Sequence, residues 1–443
     1  MSPKDLHLAP LDFLHTLRFE DLSDTVIHQA KRCLLDTVGV AIGGHALKLS
    51  GIVRDHAAED MPGSCPMLFD SRTASQSGAA MAAGMMIDGL DGHDGWNPAK
   101  GHIGAPLLSG VMGFANDPHL SGAEFLTAWI AGYELGGRIA VVQHDTCPDY
   151  HTSGSWGAVA VAAAGAKLLG LDADTTRHAL GIAEYHGPRS QMMRCIDFPT
   201  MLKDGAGWGA LCGTSAVQLA RRGFTGAPAI TVEKAPDYFE DVGTRWIILE
   251  QYFKPYPVCR WAQAPVEGVL ALRNGHGVGP NDVDHILVET FHESCRLAMA
   301  CPQNPEEAQY STAFPVAVAM VKGAITLADL EGAALKDPEV LRLSKGLKMV
   351  EHDYANDRFP TYRDARTSLV LKSGQILDGD WMNPLWAPDA PPSDHDLLTK
   401  FHDLADGPLG VARANAIADT IWELDTRPFA DLAQFLFSDP KGN

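Results

Sequence analysis

Hydrophobic positions recur with a helical period along most of the chain before about residue 260. Ser23 can cap a helix, and after it apolar residues fall on one face from Val26 to Val38, where Gly43 and Gly44 end the pattern. A second helix is predicted to open at the capping-box pattern Ser121-x-x-Glu124. The pattern therefore predicts a series of helices, joined by loops that Gly, Pro and Asp mark.

Two stretches, 77–90 and 156–169, are dense in Ala and Gly and carry very few charges. Helices with such small side chains let their neighbours approach closely, so we expect both in the middle of a helix bundle. Neither is long or apolar enough for a membrane span, which needs about 20 apolar residues. The chain is therefore expected to have no membrane segment.

The pattern changes after about Asn274. Runs rich in β-branched residues, with a turn at Ser373-Gly374, now predict strands, and two amphipathic runs between them predict helices. The predicted strands are 283–291, 347–352 and a hairpin of 366–372 with 375–377, and the predicted helices are 311–322 and 326–335.

After a Pro-rich run at 384–392 the chain is predicted to be helical again, from Asp394 to Phe437. A chain of 443 residues exceeds the roughly 250–300 residues that one core usually serves. We therefore predict a mainly α fold with an α+β part: an all-helical domain built from both chain ends, 1–270 and 394–443, and an inserted α+β domain, 271–393.

Charge and cysteine content exclude several classes of function. The net charge of −20 argues against a general nucleic-acid binder, although a local basic pocket would still admit an anionic substrate. The eight cysteines contain no C-x-x-C pair, which argues against a disulfide framework or a zinc ribbon. The first residues lack the pattern of a signal peptide, so a cytoplasmic location is expected.

The first candidate for chemistry is the loop from Asp88 to His102, in which Asp91, His93 and His102 lie among glycines that allow a ligand close to the backbone. The alternative is a solvated, capped loop. A metal site is not expected, because the loop has neither an H-x-x-x-H nor an EF-hand spacing.

The second candidate is Tyr150-His151, just before a small-residue helix whose N-terminus would attract a carboxylate. Helix capping by Thr152, Ser153 or Ser155 explains the same residues without a function. A serine hydrolase is rejected, because the nearby G-S-W-G lacks the first glycine of a nucleophile elbow.

The third and fourth candidates are cationic. In the segment that also contains Arg194, Lys203 follows an apolar patch and precedes a glycine-rich helix start, where burial and the helix dipole would lower its pKa. Lys254 and Arg260 lie in a segment that two prolines stiffen, which suits carboxylate binding at a domain boundary. A surface lysine and a rigid connection are the respective alternatives.

Taken together, these segments resemble the MmgE/PrpD family over nearly the whole chain. The segments that carry the resemblance are LLDTVGVAIGG, DGLDGHDGW with GHIGAP, YHTSGSWGAVAVAAAGAKLLGLD, LKDGAGWGALCGTSAVQLARRGFTGAP, FKPYPVCRW and EEAQYSTAFPVAVAMV. The resemblance implies a homodimer, an active site between the two domains, and a di- or tricarboxylate substrate without an organic cofactor. By motif position, the family's site residues correspond to Asp91, His102, His151 and Lys203.

The chain also departs from the family pattern. Family members commonly carry the segment DFDDT, in which His93 replaces the second Asp and Gly95 replaces the Thr. Gln263 replaces the His that follows the KPYP segment, and Phe314 replaces a Tyr of the decarboxylases. The retained set, with Tyr150 and Lys203, is most similar to iminodisuccinate epimerases. This implies α-proton removal and return on an amino- or imino-dicarboxylate.

In that interpretation the other polar residues would bind substrate carboxylates or complete the site. The residues expected to bind substrate are Arg194, Lys254, Arg260, Gln263 and His93, and no metal ligand is expected. Two alternatives stay open: a lyase that dehydrates or decarboxylates a tricarboxylate such as 2-methylcitrate or cis-aconitate, and a non-catalytic binder of the same fold.

Overall fold

The computed structural model describes residues 9–440. Residues 1–8 and 441–443, the two extremes of the predicted helical domain, lie outside the described residues. Two large hydrophobic cores are present, one formed by both ends of the chain and one by the segment between them. The fold is mainly helical with an α+β part.

The chain before residue 258 forms helices and one small hairpin. The helices are α1 (Ala9–Thr16), α2 (Asp24–Gly44), α3 (Lys48–Asp60), α4 (Gln76–Leu90), α5 (Gly104–Met112), α6 (Gly122–Thr146), α7 (Ser153–Leu168), α8 (Ala173–His186), α9 (Met192–Asp197), α10 (Ala206–Ala220) and α11 (Ile230–Glu233), and the hairpin strands are β1 (Cys65–Met67) and β2 (Asp70–Ala74).

The two predicted helix starts are confirmed. Ser23 Oγ accepts a hydrogen bond from the Val26 amide at 3.4 Å and begins α2, which ends at Gly44 as expected. At α6, Ser121 Oγ accepts from the Glu124 amide at 3.1 Å while the Glu124 carboxylate accepts from the Ser121 amide at 2.9 Å. Local side-chain bonds to free amides therefore place both starts.

The small-residue helices α4 and α7 lie at the centre of the bundle, as predicted, and α10 packs against both. A Cβ placed on Gly84 would lie 2.6 Å from the Cα of Gly207, and one on Gly154 would lie 2.1 Å from the carbonyl oxygen of Gly205. Such short separations exclude any side chain, so glycine lets these backbones touch.

The prediction of an all-helical first domain is wrong at one place. Residues 65–74 form the antiparallel hairpin β1–β2, in which Cys65 pairs with Ala74. Its middle residues, Ser71 to Thr73, are exposed, and the buried ends pack with α4 in a small satellite core. The run is too short and too polar to show the alternation that predicts a strand.

The second core contains a mixed sheet and its covering helices. Its elements are α12 (Arg260–His276), β3 (Val283–Thr290), α13 (His292–Cys295), α14 (Pro305–Gln309), α15 (Ala313–Lys322), α16 (Pro338–Gly346), β4 (Lys348–Glu351), α17 (Asp353–Arg358), β5 (Ala365–Leu371) and β6 (Ile376–Met382). The sheet order is β4-β3-β5-β6, with β3 and β4 parallel and the other pairs antiparallel. All the predicted strands are therefore present, and the last one extends to Met382.

Two details of this part differ from the prediction. The α+β domain begins earlier than residue 271, because Val258 and Ala262 already belong to its core and α12 packs on β5, β6 and α15. The segment 326–335 is not one helix but two short 3₁₀ helices, Leu327–Leu330 and Gly332–Lys336. Glu331 is extended and Gly332 has a φ of +58°, which breaks the helix between them.

The chain then returns to the first core through α18 (Asp394–Leu409), α19 (Val411–Trp422) and α20 (Ala430–Leu436). α18 packs on α2, where Gly39 makes room for the Phe401 ring and Lys400 pairs with Asp36 at 2.5 Å. Across residues 9–440, no helix is both long and apolar enough to cross a membrane. The two cores meet along the segment 252–260, where the candidate site lies.

Candidate active site

A small cavity separates the two domains. Its lining residues are Asp91, Lys100, Gly101, His102, Tyr150, Met192, Asp204 and Tyr252 from the helical domain, and Cys259, Arg260, Trp261, Tyr310 and Arg363 from the α+β side. Its volume of about 30 Å³ holds roughly two water molecules. As it stands, the cavity is too small for a substrate of several carbons.

His102 offers a free basic nitrogen to this cavity. Its Nδ1 lies 2.6 Å from the carbonyl oxygen of Asp94, which only accepts, so Nδ1 carries the proton and Nε2 has a free lone pair. Burial, and then the neighbouring His93 and Lys254, lower the pKa of His102 well below its ordinary value. The imidazole is consequently neutral near pH 7 and able to accept a proton.

Asp91 and Lys254 form a buried ion pair next to His102. The ammonium of Lys254 donates to Asp91 Oδ1 at 2.6 Å and to the Asp91 carbonyl at 2.9 Å. Burial alone would raise the pKa of Asp91, but the cations of Lys254 and Lys203 outweigh it and hold that pKa below its ordinary value. Because Asp91 neutralises it, Lys254 is not free to bind a substrate carboxylate as predicted.

Lys203 is buried, with 2% of its surface exposed, in the turn just before α10. Its ammonium donates to Gln309 Oε1 and lies 4.6 Å from the centre of the Tyr310 ring. Burial lowers the pKa of Lys203, although the carboxylates of Asp91 and Asp88 act in the opposite direction. The residue thus faces the α+β domain, but it contacts the cavity wall at Tyr310 rather than lining the cavity itself.

Three phenols line the cavity, those of Tyr150, Tyr252 and Tyr310, and raised pKa values keep all three protonated. Tyr150 donates its hydroxyl to the Lys100 carbonyl at 2.6 Å, and burial raises its pKa well above the ordinary value. Burial likewise raises the pKa of Tyr310, which directly follows α14. The sequence reasoning missed Tyr310, although it lies in the family segment that begins EEAQYSTAF.

Two family models match the parts of the chain whose segments meet at the cavity. The model of the MmgE/PrpD N-terminal domain matches residues 10–240, and that of the MmgE/PrpD C-terminal domain matches residues 256–425. This chain belongs to the MmgE/PrpD family.

Relatives of this MmgE/PrpD protein are named as lyases. It is 25% identical over 434 residues to cis-aconitate decarboxylase of Mus musculus, covering 88% of this chain and 84% of the relative. It is also 25% identical to cis-aconitate decarboxylase of Homo sapiens (93% and 87% covered) and to 2-methylcitrate dehydratase of Cupriavidus necator (82% and 82% covered). These names favour the alternative lyase over the epimerase expected from the retained residues.

Two departures from the MmgE/PrpD pattern have a structural explanation. A Cβ on Gly95 would lie 2.5 Å from the Tyr252 hydroxyl and 2.8 Å from His102 Nδ1, so only glycine fits beside this tyrosine. Phe314 is wholly buried in the core of the α+β domain and does not line the cavity. Because Phe314 does not line the cavity, its missing hydroxyl does not change the cavity lining, which contains the phenols of Tyr150, Tyr252 and Tyr310.

Several predicted residues of this MmgE/PrpD protein lie away from the cavity. His151 pairs through its backbone with Gln191 and does not line it, and Arg194 is exposed on α9. Gln263 donates from Nε2 to the carbonyls of Tyr256 and Val258, both at 2.9 Å, so it holds its own loop. None of these three residues lines the cavity.

His93 is buried behind His102, with the two rings edge to face at 4.2 Å between centres. Burial, with the charge of Lys254, lowers the pKa of His93 to about 3, so it is neutral and supports the His102 ring. Within residues 9–440, no group of three or more His, Cys, Asp or Glu side chains is arranged to hold a metal ion.

Proposed function

We propose that this protein is a lyase that removes water or carbon dioxide from a tricarboxylate by acid/base catalysis, without an organic cofactor. The observation that carries the proposal is the neutral His102, whose free Nε2 faces a cavity lined by protonated phenols and buried cations. An elimination needs a base for a proton, an acid for the leaving group and cations for the developing charge.

For dehydration, His102 Nε2 takes the proton from a carbon next to a carboxylate. The electron pair of that C–H bond becomes the new C=C bond, and the C–O bond on the neighbouring carbon breaks. The phenol of Tyr310 or Tyr150 gives its proton to the departing hydroxyl, which leaves as water. The ammonium of Lys203, beside Tyr310, stabilises negative charge at that end of the site.

Decarboxylation uses the same groups in a different order. The C–C bond to one carboxylate breaks and releases carbon dioxide, and its electron pair passes to the carbon framework. A phenol then protonates the resulting carbanion, and the cations that bind the other carboxylates stabilise its charge. The relatives named as decarboxylases and as a dehydratase support either outcome.

The test is proton NMR of the purified protein with cis-aconitate, citrate or 2-methylcitrate in deuterated water. We expect alkene signals to appear or to change with one of them. His102→Asn should abolish the change, whereas His56→Asn, a surface histidine paired with Asp60 on α3, should not. Deuterium uptake at an α-carbon without elimination, on an amino- or imino-dicarboxylate, would instead favour the epimerase, and no change with any polycarboxylate would refute both.

Two further expectations remain predictions. The family resemblance implies a homodimer, which light scattering on the purified protein would establish. The cytoplasmic location likewise awaits fractionation of the cells that make the protein.

A further inference from the structure

Two buried arginines from different parts of the α+β side line the same cavity. Arg260 is the first residue of α12 and is 4% exposed, and Arg363 lies between α17 and β5 and is 3% exposed. Sequence reasoning proposed Arg260 as a substrate ligand but did not single out Arg363. Two guanidiniums thus form one wall of the cavity, on its α+β side.

Neither arginine has a carboxylate partner in the part of the chain that the structure describes. Arg260 donates from Nη1 to the carbonyls of Phe253 and Leu385, both at 3.0 Å, while its Nε and Nη2 are buried without a partner. Arg363 donates only to main-chain oxygens: those of Pro360, of Tyr362 at 3.3 Å and of Asn97 at 3.5 Å. Donors remain available on this wall.

The carboxylates that share the cavity do not offset these two charges. Asp91 is already neutralised by Lys254 at 2.6 Å. Asp204 accepts from the amide and hydroxyl of Ser153, and burial raises its pKa well above the ordinary value, which favours its neutral form. The wall therefore keeps a net positive charge, inside a protein whose overall charge is −20.

Burying two like charges without counter-ions is unfavourable, and a bound anion would offset the cost. Aromatic rings also hold both guanidiniums in place: the Arg260 carbon Cζ lies 4.0 Å from the Tyr252 ring centre, and that of Arg363 lies 4.6 Å from the Phe359 ring centre. Planar forks held in this way suit carboxylate oxygens, which accept two parallel hydrogen bonds.

We propose that Arg260 and Arg363 together bind one carboxylate of the substrate, and that Arg363 selects substrates bearing a carboxylate on the α+β side of the cavity. The substrate class rests on the proposed function, but the binding does not require turnover. The loop that carries Arg363 also contacts the helical domain, because Asn97 Nδ2 donates to the Thr361 carbonyl at 2.9 Å.

The test is calorimetric binding of propane-1,2,3-tricarboxylate, a tricarboxylate with no leaving group, to the whole protein. Removing one partner of a desolvated charged contact typically weakens binding by about 30-fold or more, so Arg363→Gln and Arg260→Gln should each do so. Arg363→Lys should bind with an intermediate affinity, because an ammonium cannot make the paired contact. The matched control is Arg366→Gln on β5, whose side chain pairs with Glu289 outside the cavity and should leave the affinity unchanged.

Melting curves of each variant separate lost binding from lost folding. If Arg363→Gln does not fold, the comparison rests on Arg363→Lys and on the unaltered protein, which should bind glutarate, lacking the central carboxylate, about tenfold or more weakly than the tricarboxylate. Equal affinities in these comparisons, or no binding of the tricarboxylate to the unaltered protein, would overturn the proposal. Binding that depends on Arg363 without turnover of any polycarboxylate would uphold it and refute the proposed reaction.

Discussion

Replacing Lys254 by Met tests whether the buried ion pair with Asp91 holds the site together. Lys254 is wholly buried and its ammonium lies 2.6 Å from Asp91 Oδ1, so the substitution leaves a carboxylate in the interior without its main partner. Losing one member of a buried pair typically costs about 3–5 kcal/mol of the free energy of unfolding. We expect a loss of this size at pH 8.

The loss should depend on pH in a definite direction. In the unaltered protein the pKa of Asp91 lies below its ordinary value, so the pair contributes stability above pH 4 and loses it only as the pH falls through that lowered pKa. Without Lys254, burial is the largest influence and raises the pKa of Asp91. Lowering the pH from 8 to 5 should then protonate Asp91 and recover part of the lost stability.

Urea unfolding, followed by circular dichroism at both pH values, measures the effect. The matched control is Lys322→Met, whose partner Asp329 lies at 2.5 Å but at the surface, and which should cost no more than about 1 kcal/mol. In the double variant Asp91→Asn with Lys254→Met, the charge is absent, so most of the pH dependence should vanish. A loss below about 1 kcal/mol for Lys254→Met, or a loss that grows as the pH falls, would refute the reasoning.

Three further predictions concern the site. His102→Gln should lower kcat by about 10²–10⁴-fold at an unchanged melting temperature. In the unaltered protein kcat/KM should stay level from pH 8 down to 6.5, because the lowered pKa keeps His102 neutral there, and a fall in kcat/KM within this range would contradict the assignment. Gly95→Ala should cost about 1–3 kcal/mol in urea unfolding, since the added methyl meets the Tyr252 hydroxyl at 2.5 Å, and a neutral effect would show that the ring yields. Tyr310→Phe should lower kcat at least about tenfold with little change in KM, and an unaltered kcat in steady-state assays would assign the acid to Tyr150 instead.

The sequence alone determined the elements whose signals are local. Ser23 and Ser121 mark the starts of their helices in the sequence, because a capping side chain accepts a hydrogen bond from an amide only two or three residues away. The strand from Val283 shows its β-branched run, and the Ala- and Gly-rich segments indicate where helices pack closely. The candidate loops containing Asp91, His102 and Tyr150 were also visible, because each concentrates ionisable groups beside glycines.

The tertiary structure decided which of these groups meet. In the sequence Lys254 is a free cation, but in the structure Asp91, distant in the chain, neutralises it. Gln263 is likewise a possible substrate ligand in the sequence, but in the structure it binds the carbonyls of its own loop. Arg363 reaches the cavity from a segment without a local signal for a site, and Tyr310 reaches it from a family segment in which nothing marks it as a site residue. Whether a charge is free or paired depends on partners that folding brings from distant parts of the chain, and no pattern of neighbouring residues records those distances.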